Sequence, residues 1–81
     1  MVRVLLFGRL ADVAGWRERT LDPAPGTLAE LRRRIATDHA ALAEALKARG
    51  VQAAVNKAIV RGDVALAPGA EVAFLPPMSG G

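Results

Sequence analysis

Few residues of this 81-residue chain could perform chemistry of their own. There is one histidine, His39, one serine, Ser79, and neither cysteine nor tyrosine. A self-contained Ser-His-acid triad is very hard to assemble from that set, and a zinc site would need three or four nitrogen, sulfur or carboxylate ligands that the pattern does not bring together. The eight acidic residues are dispersed, with no HExxH, EF-hand loop, P-loop or dinucleotide-binding glycine motif. What remains is the ending, Pro76-Pro77-Met78-Ser79-Gly80-Gly81. Chance alone would give two terminal glycines in roughly 0.5% of chains. Glycine lacks a side chain, so a Gly-Gly carboxylate can thread a narrow tunnel in another protein and present its carbonyl there. Six extended residues reach about 20 Å, and the prolines bias the arm toward an extended helix before it docks.

A free carboxylate is a poor electrophile and must be activated, typically as an acyl-adenylate. No nucleotide motif occurs in the chain, so the activating enzyme is expected to be a separate protein that uses ATP. Attack by a sulfur donor on the adenylate would leave a thiocarboxylate at Gly81 and make the chain a sulfur carrier. Attack by a thiol on the way to an amide would make it a protein modifier. In both schemes Gly81 and Gly80 carry the chemistry and Ser79 is a small polar spacer.

Composition narrows the field further. The formal charge is +3, but the eleven basic residues are scattered against eight acids, and Phe7, Trp16 and Phe74 are the only aromatics. No stacking platform with a basic track results, so no nucleic-acid partner is expected. No apolar run approaches the ~18 to 20 residues of a membrane span, and Met1 to Leu10 lacks the features of a signal peptide. A soluble, cytoplasmic protein without metal or permanently bound cofactor is expected.

The elements that must carry the arm follow from pattern. Val2 to Phe7 is nearly continuous apolar sequence and predicts a strand buried on both faces. Arg9 to Gly15 predicts one helical turn with Leu10, Val13 and Ala14 inward, and Trp16 to Leu21 a second strand. Thr27 with Glu30 forms a capping box at the start of a helix whose core stripe is Leu28, Leu31 and Ile35. An interruption at Thr37-Asp38 precedes a second helical stretch through Leu42 and Leu46, ended by Gly50. His39 between them reads as an exposed surface residue. Val51 to Val55, Ala58 to Val60 and Val72 to Leu75 predict three more strands, with Asn56-Lys57 as a turn. Trp16 reads as a packing residue at a sheet edge. This order indicates an α+β roll with a helix packed across one face of a mixed sheet, the first and last strands side by side in parallel. Residues 1–75 form the domain and 76–81 an extended tail.

The segments Val4-Leu5-Leu6-Phe7-Gly8-Arg9-Leu10, Ala14-Gly15, Thr27-Leu28-Ala29-Glu30-Leu31, Ala53-Ala54-Val55-Asn56 and Glu71 through Gly81 together resemble the small-subunit family of molybdopterin synthase. The likeness spans essentially the whole chain and is strongest at its end. It implies a ubiquitin-like β-grasp fold. It also implies adenylation of Gly81 by a relative of ubiquitin-activating enzymes, a sulfur donor protein, and sulfur transfer to cyclic pyranopterin monophosphate to build the dithiolene of molybdopterin. The partner would be the synthase large subunit, in a heterotetramer of two small and two large subunits. Phe74, Leu75, Pro76, Pro77, Met78 and Ser79 would then be docking residues, and Phe74→Ala is expected to weaken that docking more than it lowers the melting temperature. Carriers for thiamine or tRNA thiolation and ubiquitin-like modifiers share the fold and diglycine but usually lack the Phe-x-Pro-Pro run, so they form the second reading.

Overall fold

The computed structural model describes residues 1–77. Five strands form one sheet: β1 (Val2–Leu6), β2 (Glu18–Leu21), β3 (Gln52–Val55), β4 (Ala58–Val60) and β5 (Glu71–Leu75). Three helices, α1 (Arg9–Ala14), α2 (Leu28–Asp38) and α3 (Ala40–Leu46), complete the fold. The sheet order is β2-β1-β5-β3-β4, which puts the last strand at the centre. β1 and β5 run parallel with Val4 opposite Val72 and Leu6 opposite Phe74, and the other pairings are antiparallel. A parallel pair needs a crossover. Here everything between the two strands, helices included, makes that crossover.

Each strand alternates with a period of two, and the helices lie on one side of the sheet. Val2, Val4, Leu6, Val72 and Phe74 point to that side and are buried, together with Leu28, Leu31 and Ile35 of α2 and Leu42 and Leu46 of α3. The opposite positions on β1 are an exposed Arg3 and a half-buried Leu5. The expectation that β1 is buried on both faces is therefore corrected. Its apolar run serves two different surfaces, one closed by helices and one open.

Local chemistry explains where the helices start and stop. Thr27 accepts a hydrogen bond from the Glu30 N–H at 3.1 Å, as its capping role requires. The Glu30 carboxylate reaches one residue further back than a standard box, accepting from the Gly26 N–H at 2.8 Å. The distant Asp63 carboxylate accepts from the Ala29 N–H at 2.8 Å and so satisfies another first-turn donor. His39, expected to be a bystander, joins the two helices: its N–H donates to the Ile35 carbonyl at 2.8 Å, and its Nδ1 accepts from the Leu42 N–H at 3.2 Å. It is half-buried and structural.

The hairpin between β3 and β4 turns on Asn56 (φ 49°) and Lys57 (φ 71°), two consecutive left-handed residues as a type I′ turn demands. Asn56 does more than turn. Its side-chain oxygen accepts from the Glu71 N–H at 3.0 Å and its own N–H donates to the Glu71 carbonyl at 2.8 Å, fastening the hairpin to the start of β5. β2 begins at Glu18, two residues later than its pattern predicts. Trp16 packs half-buried against the core, with the Arg19 guanidinium 4.7 Å from its ring centroid. Val13, expected inward on α1, is exposed. The short helix turns Leu10 and Ala14, four residues apart, toward the core, and Val13 lines a surface groove instead.

Candidate functional site

The chain leaves the domain at the end of its central strand. Beyond Leu6 the ladder continues by one hydrogen bond, from the Phe7 N–H to the Phe74 carbonyl at 3.3 Å. Pro76 and Pro77 have no N–H to offer, so pairing stops there. Pro76 is half-buried and Pro77 exposed. A β-carbon placed on Gly8 would lie 3.0 Å from Pro76 Cγ, and one placed on Gly50 would lie 2.8 Å from Pro77 Cβ. The two prolines thus rest where side chains on those two glycines would have to be. Beside them lies an apolar groove of about 100 Å³ whose walls include Leu10, Val13, Ala45, Ala48 and Val51.

Of the residues expected to dock, Leu75, Pro76 and Pro77 come together at this exit. Phe74 does not join them. Its side chain is fully buried in the core, with the Arg32 guanidinium 5.1 Å from the ring centroid. The expectation that Phe74 presents its ring to a partner is corrected: strand alternation turns Val72 and Phe74 beneath the helices and leaves Ala73 and Leu75 on the other side. Met78, Ser79, Gly80 and Gly81 lie outside the described residues.

The open side of the sheet is divided along its length. At the starting end of β1 and β5, Arg3 pairs with Glu71 at 2.5 Å and with Glu18 at 3.6 Å. Toward the exit Leu5, Phe7, Ala54, Ile59, Ala73 and Leu75 share this face across β1, β5, β3 and β4, flanked by the exposed Glu18 opposite Leu5 and the exposed Gln52 opposite Leu75. Phe7 is 47% exposed and Ile59 49%. Ala54 is nearly buried yet stands outside the main core cluster, because its neighbours on this face shield it. An apolar patch on a small domain, rimmed by charge, is the usual mark of an interaction surface.

The alternation of the last strand, with Ala73 and Leu75 on one side, points to an apolar patch here, but Leu5, Phe7 and Ile59 as its other members and the two glycines are not evident from the sequence. The uniformly apolar β1 conceals which of its residues face out, and Ile59 sits in a strand of only three residues. Nothing in the sequence pairs Gly8 with Pro76 or Gly50 with Pro77, since only the topology brings them together. Among the described residues, no group of three His, Cys, Asp or Glu side chains is placed to hold a metal ion. No helix among them is long and apolar enough to cross a membrane.

The sequence matches the ThiS family over residues 4–81, from the first strand through the terminal diglycine. The chain belongs to the ThiS family. This ThiS-family chain is 35% identical over 81 residues to the molybdopterin synthase sulfur carrier subunit of Escherichia coli, covering 100% of both chains. Its fold is similar to the crystal structure of SAMP1 from Haloferax volcanii, with a TM-score of 0.82, 28% identity, and 99% and 98% of the two chains covered. It is also similar to a putative molybdopterin converting factor subunit 1 from Pyrococcus furiosus, with a TM-score of 0.79, 28% identity, and 95% and 97% covered. The roll is therefore the ubiquitin-like β-grasp fold, and the family is one of sulfur carriers. Both agree with the resemblance drawn from the sequence.

Proposed function

We propose that this chain is the sulfur-carrying small subunit of a molybdopterin synthase. The observation that carries the reading is the likeness to the Escherichia coli carrier subunit, which runs through all of both chains. In this reading the Gly81 carboxylate attacks the α-phosphorus of ATP on a separate adenylating enzyme and releases pyrophosphate. A sulfur donor protein then delivers sulfur in place of AMP and leaves a thiocarboxylate. The thiocarboxylate sulfur attacks a side-chain carbon of cyclic pyranopterin monophosphate held by the large subunit and displaces an oxygen substituent, and water then cleaves the acyl–sulfur bond and returns the Gly81 carboxylate. Two such cycles complete the dithiolene, in the cytoplasm.

The apolar half of the open sheet face supports this assignment physically. It adjoins the point where the arm departs, so a large subunit seated on Phe7, Ile59 and Leu75 would receive the arm from the same side. Burial of that apolar area would stabilise the complex while the arm delivers its sulfur. Two small and two large subunits would make the working assembly. The second reading, a ubiquitin-like modifier joined to lysines, is favoured by the likeness to the Haloferax volcanii small archaeal modifier protein.

The deciding experiment uses semisynthetic chain with a thiocarboxylate at Gly81, mixed with pterin substrate and large subunit and followed by intact mass spectrometry. Conversion of thiocarboxylate to carboxylate only when both are present is the expected result. Retained sulfur with an active large subunit would overturn the assignment, and diglycine remnants on lysines in cell extracts would establish the modifier instead.

A further inference from the structure

We infer that Gly8 and Gly50 are a two-point seat for Pro76 and Pro77 that sets the direction in which the C-terminal arm leaves the domain. Both glycines have left-handed backbones, φ 57° and 88°, and in both cases the space a β-carbon would need is taken by a proline of the arm. The other left-handed glycines, Gly15, Gly62 and Gly69, have nothing within 4 Å of that position. A positive φ explains glycine at all five places. Only at Gly8 and Gly50 does a second, independent reason apply.

The two seats belong to rigid parts of the fold that lie far apart in sequence. Gly8 caps α1, where its carbonyl accepts from the Ala11 N–H at 3.1 Å. Gly50 sits in the turn closed by the Val51 N–H donating to the Ala48 carbonyl at 3.2 Å, just before β3. Pro77 is exposed, as are Gly8 and Gly50. A methyl group inserted at Gly50 meets Pro77 at Cβ, Cγ and Cα, at 2.8, 3.4 and 3.5 Å, so the arm and the turn cannot both keep their places. At Gly8 the clash is with the tip of the Pro76 ring alone and is milder. Proline fixes φ, so two seated prolines hold the arm's first residues extended and aimed before any partner engages them. Ordering done in advance is ordering that docking need not supply.

This inference rests on the carrier reading for its consequence but not for its geometry, and the experiment separates the two. Wild type, Gly50→Ala, Gly8→Ala and the control Gly69→Ala (φ 84°, close to the 88° of Gly50, with open space) are prepared as full chains. NMR measures nuclear Overhauser contacts of the Pro77 ring with the protons at position 50, the two Hα of Gly50 or, in Gly50→Ala, the Hα and the introduced methyl, and steady-state sulfur transfer from the thiocarboxylated forms gives KM and kcat. The contacts are expected in wild type and Gly69→Ala and lost in Gly50→Ala. Loss of about one residue's worth of preordering raises KM roughly tenfold over the Gly69→Ala value with little change in kcat. Gly8→Ala shows a smaller rise, and it keeps the test decisive should Gly50→Ala fail to fold. Absent contacts in wild type, or KM values of Gly50→Ala and Gly8→Ala equal to that of Gly69→Ala, overturn the seat. Contacts present in a wild-type chain that transfers no sulfur support the seat and overturn the carrier reading.

Discussion

The two faces of the sheet are built from the same strands, and both carry large apolar side chains, yet only one of them is closed over by helices. On the covered face Val2, Val4, Leu6, Val72 and Phe74 interlock with α2 and α3 and are almost wholly removed from water. On the open face Leu5, Phe7, Ile59 and Leu75 remain partly or largely exposed. Hydrophobicity alone does not distinguish the sets. Position in the alternation does: it places one set beneath the helices and leaves the other on the surface that the proposed function gives to the partner.

That division is broken most severely by Phe74→Ala. Removing a fully buried ring costs about 3–5 kcal/mol, against a total stability on the order of 4–12 kcal/mol for a domain of this size. The expected result is a fall in melting temperature of roughly 15 °C or more, read by calorimetry. A variant that melts normally but binds the large subunit weakly would return Phe74 to the interface. Ile59→Asp tests the other face. Because Ile59 is about half exposed, stability should change by less than about 0.5 kcal/mol, while a charge buried without a partner in the complex should weaken large-subunit binding by at least about tenfold. Unchanged affinity in a calorimetric titration would remove this face from the interface.

Most of the architecture was legible in the sequence because local signals agreed with global ones. The capping pair at Thr27, the Asn56-Lys57 turn and the apolar runs of β1 and β5 each state their structure within a few residues. What the sequence obscured depends on contacts between distant segments. Phe74, which the resemblance groups with the docking residues, shows itself as core only once the helices are placed on one side of the sheet. Glycines at 8 and 50 read as ordinary turn residues until the prolines arrive over them. His39 reads as a bystander because its capping role requires knowing that two helices meet there.

A finer division lies within the open face, between its apolar half and the charged half around Arg3. Arg3 pairs with Glu71 and Glu18, but its side chain is 52% exposed, so solvent screens both pairs and the arginine pays entropy to hold them. Arg3→Met retains most of the stem that covers the sheet and removes only the charge. We expect a stability loss below about 1 kcal/mol that shrinks further as salt is added, measured by urea unfolding at two ionic strengths. Large-subunit affinity should change far less than in Ile59→Asp, because Arg3 lies at the end of the face remote from the arm. A large, salt-dependent loss of binding would instead make the ion-paired end part of the contact, and the boundary of the docking surface would move along β1 and β5 to include Glu71.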